Sequence, residues 1–174
     1  MLNSLNYTEV HVEDPHSDVA TALIKNCRVR TMASCIRGVP AVMEYANQDG
    51  VLLISPDAGA NKKVGEVARL LCRSSFIRAD KERDCRTGEI TNTRVWCNGQ
   101  LEPHKCLIVD DICDGGRTFI ELGKKLKQAG AQEVALYVTH GIFSKGLDVF
   151  AGSIDHIFAQ NTLSGERQVV RHIF

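Results

Sequence analysis

The sequence predicts an α/β protein of three layers, α/β/α, with helices on both faces of a largely parallel sheet. Three observations lead there. Short, continuously apolar runs such as "VLLIS" and "CLIV" recur along the chain, as strands covered on both faces do. Segments of helical spacing separate them, so parallel neighbours joined by right-handed crossovers are the simplest arrangement. Polar clusters follow the strand ends, where such sheets hold their ligands.

The elements follow in order. "EVHVED", residues 9–14, alternates as a first strand, and "HSDVATALIKN" has helical spacing with Ser17 as its N-cap. "GVLLISP" is a buried second strand ending at Pro56, and "NKKVGEVARLLCR" sets Val64, Val67, Ala68 and Leu71 on one helical face. "KCLIVDD" is a third strand. The segment after it aligns Phe119, Leu122, Leu126 and Ala129 and stops at Gly130 as a C-cap. "EVALYVTHG" and "DHIFAQN" read as a fourth and a fifth strand, with "QVVRHIF" a candidate sixth. Residues 78–105 break the alternation. They begin rich in Lys, Arg, Asp and Gly, then alternate in "EITNTRVWC", which predicts a flexible, charged loop leading into a β-hairpin arm around Trp96. An ordinary solvated hairpin explains the local pattern equally well.

Length and composition narrow the function classes. With 174 residues, 44% of them hydrophobic, the chain suits one globular domain spanning residues 1–174. Its formal net charge of +0 supplies no long-range field for nucleic acid or an anionic membrane, so any anion must be gripped locally. The apolar runs are too short to span a bilayer and the first residues lack signal-peptide zones, so a soluble, cytoplasmic protein is expected. Seven cysteines, an odd number without a C-x-x-C pair, read as reduced small hydrophobes.

The densest chemistry lies in "CLIVDDICDGGRTF", Cys106 to Phe119. Gly115 and Gly116 let several backbone N–H groups converge where the next helix begins, which suits a phosphate. Thr118 adds a hydroxyl and Arg117 a charge. Asp110, Asp111 and Asp114 would repel a bare phosphate, so they need partners of their own. Vicinal sugar hydroxyls or a shared divalent cation fit. A 5-phosphorylated ribose satisfies each element. Two competitors fall short: a Walker B strand lacks its G-x-x-x-x-G-K-[ST] partner, and a receiver-type acidic pocket leaves the Gly-Gly-Arg-Thr continuation unexplained.

"CLIVDDICDGGRT" resembles the phosphoribosyl pyrophosphate signature of type I phosphoribosyltransferases and ribose-phosphate pyrophosphokinases. One departure is that Gly115-Gly116-Arg117 stands where the family sets small or hydroxyl-bearing residues, so a side-chain hydroxyl is lost at Gly115. "SPDAGANKK", Ser55 to Lys63, resembles the pyrophosphate loop of the pyrophosphokinases, with Lys62 and Lys63 neutralising charge. "DPHS" resembles their magnesium-binding turn, and "DKERD" their flexible catalytic loop. "AQNTLSG" resembles their Thr-Asn-Thr/Ser segment.

The resemblance covers roughly residues 3–165 and implies a type I phosphoribosyltransferase fold. It implies that Asp110, Asp111, Asp114, Gly115, Gly116, Arg117 and Thr118 bind ribose 5-phosphate. Ser55, Asp57, Ala58, Gly59 and Lys62 would bind pyrophosphate, His16 and Asp57 would hold Mg, and Lys81 with Arg83 would stabilise the transferring group. It implies ATP and ribose 5-phosphate as substrates, phosphoribosyl pyrophosphate as product, and a homo-oligomer. Pyrophosphokinases carry two similar domains, and this chain resembles the second. Full turnover by this chain alone is therefore not expected. A stand-alone nucleobase phosphoribosyltransferase and a non-catalytic regulatory subunit remain open alternatives.

Overall fold

The computed structural model describes residues 1–83, 86, 90–96, 101, 104–163 and 167–172; for residues 81–83, 90–94, 96 and 167–172 it describes the backbone alone. Nine strands and five α-helices run in the order β1 (Val10–Glu13), α1 (Asp18–Leu23), β2 (Cys27–Arg30), α2 (Met32–Arg37), α3 (Pro40–Ala46), β3 (Val51–Ser55), α4 (Asn61–Leu70), β4 (Ile77–Arg83), β5 (Ile90–Trp96), β6 (Lys105–Cys113), α5 (Arg117–Gln128), β7 (Glu133–Gly141), β8 (His156–Thr162) and β9 (Arg167–His172) among the described residues. Seven strands form the main sheet in the order β5-β4-β3-β6-β7-β8-β9. Its centre is parallel, and β5 and β9 close the two edges antiparallel.

The three layers follow from the period of two. In β6, Cys106 and Ile108 turn to the face covered by Phe119, Leu122 and Leu126 of α5. Leu107 and Val109 turn to the other face, against Met32, Ile36, Val42, Val64 and Val67 of α2, α3 and α4. Every one of these side chains is buried.

Three expectations are corrected. The first strand does not enter the main sheet: β1 pairs in parallel with β2 as a separate two-stranded sheet. The segment from Cys27 to Ala46, for which the sequence suggested no element, folds as β2, α2 and α3. Its helices are only six and seven residues long, too short to stand alone, and burial of Met32, Cys35, Ile36 and Val42 sustains them. The charged stretch expected as a flexible loop is strand through Arg83, paired antiparallel with β5 and shifting register between Glu82 and Arg83. Backbone pairing to a neighbour overrode its composition there. Ser17 does cap α1, accepting from the Val19 N–H at 3.2 Å. No helix among the described residues is long and apolar enough to cross a membrane.

Candidate functional site

Strand β6 continues past its apolar run to Cys113 and carries the two aspartates to opposite faces of the sheet. Asp110 follows Ile108 toward the α5 face. There it lines a cavity of about 310 Å³ together with Asp114, Gly115, Thr118 and Lys145. Asp111 follows Val109 to the other face and is buried. Two adjacent carboxylates thus serve two different environments, and they do not converge as a pair on one spot.

The glycine loop is shaped by what packs beneath it. Gly116 adopts φ +75° as the N-cap of α5, and a Cβ there would run into the Phe150 ring. The opening N–H groups of α5 have no acceptor within the helix, and the helix dipole adds partial positive charge at the same end. Thr118 sits half-buried beside them. Arg117 lies along the helix instead, its Nε donating to Glu121 Oε1 at 2.9 Å. Burial, with the Asp110 and Asp114 carboxylates nearby, pushes the Cys113 thiol up to about 12, so it stays protonated at neutral pH.

On the opposite face a buried ion cluster joins β1 to the main sheet. Lys63 Nζ donates to Asp111 Oδ2 at 2.7 Å and to the Pro15 carbonyl at 2.8 Å, and pairs with Asp14 Oδ1 at 2.9 Å. Thr139 Oγ1 donates to the other Asp14 oxygen at 2.7 Å. Burial alone would lower the Lys63 pKa, yet the hydrogen bonds to Asp111 and Asp14 outweigh it and the net shift is upward. Lys63, read from sequence as a phosphate-neutralising cation, is therefore committed within the protein. His16 Nδ1 stands 3.0 Å from Asp111 Oδ2, with its side chain 83% exposed. A carboxylate only accepts, so Nδ1 donates this bond, which fixes the ring and leaves Nε2 on the exposed side chain.

The turn after β3 is self-braced. Ser55 Oγ donates to the Asp57 carbonyl at 3.0 Å, and Asp57 Oδ1 accepts the Ala60 N–H at 3.1 Å. Ala58 and Gly59 are exposed between them. Lys62 donates to Asp18 Oδ2 at 2.8 Å on the surface. The backbones of Lys81 and Arg83 lie in β4, and their side chains are outside the described residues. Among the described residues no three His, Cys, Asp or Glu side chains converge as a metal cage. Among the described residues, Cys27, Cys35, Cys72, Cys106 and Cys113 form no disulfide. A larger depression of about 640 Å³ lies between α4 and the segment from Arg73 to Arg78, and shares only Lys62 with the expected pyrophosphate residues. The sequence offered no sign of Lys145, because its place beside Gly115 is made by two loops that β6–β7 pairing brings together.

The family described as phosphoribosyl transferase domain matches residues 23–150. The chain belongs to this phosphoribosyl transferase family. It is 32% identical to a ribose-phosphate pyrophosphokinase of Maricaulis maris (strain MCS10), over 60% of this chain and 32% of that protein. A ribose-phosphate pyrophosphokinase of Rhizobium meliloti (strain 1021) is 37% identical over 60% of this chain and 33% of its own length. The phosphoribosyl transferase chain thus spans about a third of the length of these curated relatives. The structure of phosphoribosylpyrophosphate synthetase from Mycobacterium smegmatis shares the fold, with a TM-score of 0.70 and 19% identity, over 92% of this chain and 49% of that one. APRTase from Giardia lamblia shares it at a TM-score of 0.58 and 14% identity, over 74% of this chain and 77% of that one.

Proposed function

We propose that this chain is the sugar-phosphate-binding domain of a ribose-phosphate pyrophosphokinase, a cytoplasmic, self-associating enzyme of nucleotide synthesis. The observation that carries the reading is the cavity at the carboxyl end of β6, with Asp110 on one wall and the glycine loop with the opening turn of α5 on another. The N–H groups of Arg117 and Thr118, with the Thr118 hydroxyl, receive the 5-phosphate of ribose 5-phosphate. Asp110 accepts hydrogen bonds from the sugar hydroxyls, and Asp114 borders the same cavity. Asp111 acts from the other face by orienting His16.

Ser55, Asp57, Ala58, Gly59 and Lys62 form the pyrophosphate side of the site in this reading, and Lys81 with Arg83 counter the charge of the group in transfer. The residues fit magnesium: His16 offers an oriented, exposed Nε2, and Asp57 offers a carboxylate on an exposed turn. Magnesium keeps water and substrate phosphates among its ligands, so it needs no closed protein cage. When bound it would neutralise phosphate charge on the ATP donor. The pyrophosphokinase relatives favour this reading over nucleobase transfer, since their likeness is at 32–37% identity.

Calorimetric titration with ribose 5-phosphate, and an assay with ATP and magnesium, test the proposal. Ribose 5-phosphate binding with little turnover by this chain alone is expected. Consumption of phosphoribosyl pyrophosphate with a purine or pyrimidine base would overturn the reading in favour of a nucleobase phosphoribosyltransferase. Absence of ribose 5-phosphate binding would overturn it altogether.

A further inference from the structure

We propose that Lys145 is a substrate-binding residue that supplies the side-chain cation for the 5-phosphate at the glycine loop. The inference rests on the reading that this loop takes a sugar phosphate. It begins with the charged groups around the cavity. The carboxylates of Asp110 and Asp114 line it, and Arg117, the cation of the loop itself, donates to Glu121 along α5. A phosphate dianion held by backbone N–H groups gains most from a charge-assisted contact with a side-chain cation. Lys145 is the remaining lining cation, exposed and with no ion pair or hydrogen bond among the described residues.

Its stem runs beside Gly115. A Cβ on Gly115 would stand in ordinary contact with Lys145 Cε at 3.5 Å and Cδ at 3.7 Å, with Nζ at 4.0 Å, so the lysine stem lies alongside that residue. The loop that carries it is stitched to the phosphate loop. Cys113 O accepts from the Ile142 N–H at 2.8 Å and from the Phe143 N–H at 3.2 Å. Phe143 also packs edge-on against Phe150, the ring beneath Gly116, with centroids 6.1 Å apart. Lys145 is thus carried on a loop hydrogen-bonded to the end of β6, and a short rotation of its flexible stem brings the ammonium over the cavity.

Titrations of the full chain with ribose 5-phosphate and, separately, with inorganic phosphate test this. Lys145→Met is expected to weaken both about tenfold or more, as loss of a charge-assisted contact does, and to flatten the salt dependence. Lys145→Arg should recover most of the affinity. Gly115→Thr in the Lys145→Met background should recover part of it by offering a hydroxyl from the other side of the loop. If the parent chain binds ribose 5-phosphate and Lys145→Met binds it equally well, the role of Lys145 is overturned while the sugar-phosphate site stands. If the parent chain binds neither probe, both readings fall.

Discussion

Lys63 shows how one residue can carry two structural tasks at once. Its ammonium joins two buried carboxylates, Asp14 and Asp111, that lie 97 positions apart in the chain. Replacing it by Met leaves both anions without their cation in a poorly solvated place, and breaking such a pair costs about 3–5 kcal/mol. Urea denaturation of Lys63→Met should show a loss of that order. The pH dependence has a definite sign. A lysine whose pKa is raised by folding stabilises fully below its unfolded value of 10.5, and the contribution is lost as pH climbs through the higher folded value. The parent chain should therefore lose stability above pH 10.5, and Lys63→Met should lack that component. The acidic pair stood out in the sequence, but its division between two faces did not. The same pattern of two adjacent carboxylates suits a single hydroxyl-binding spot when they follow the strand, and two separate spots when the strand runs on through Cys113, as it does.

Helix α5 illustrates the same point at the scale of an element. Its stripe of Phe119, Leu122 and Leu126 was readable from spacing alone and is buried as expected. Gly123 was not informative in sequence, since a glycine inside a helix looks like a weakness worth about 1 kcal/mol relative to Ala. In the structure a Cβ at that position would collide with the Ser153 carbonyl oxygen and stand 2.9 Å from Ile154 Cδ1. The close seat of α5 on the segment before β8 needs that glycine. Gly123→Ala should lower stability by about 1–3 kcal/mol despite the gain in helix propensity, because overpacking against backbone outweighs it. Thermal or urea unfolding decides the sign. The short α2 and α3 escaped the sequence reading for a related reason. Thr31 caps α2, accepting from the Ser34 N–H at 3.3 Å, and Pro40 opens α3, but these are small signals in segments whose helicity depends on burial.

Across the molecule, the β1–β2 sheet is moored to the main sheet by polar contacts. Glu13 accepts from Asn161 Nδ2 of β8 at 2.8 Å, and its carbonyl lies 3.0 Å from His140 Nε2 of β7; within the small sheet it also accepts from Arg30 Nη1 at 2.8 Å. Glu13→Ala should therefore raise hydrogen exchange in residues 10–30 well above that in β6 and β7, whose apolar packing is untouched. Equal loosening of both sheets would contradict this. The sequence by itself determined the α/β class, the central strands β3, β6, β7 and β8, the helices α1, α4 and α5, and the glycine turn between β6 and α5. These are encoded locally, in periodicity and in the special backbone freedom of Gly116. Tertiary structure alone decided that β1 leaves the main sheet, that Asp110 and Asp111 part company, that Lys63 is internal, and that Lys145 reaches the glycine loop. Each of those depends on which segments are brought together from far along the chain, and no local window records that.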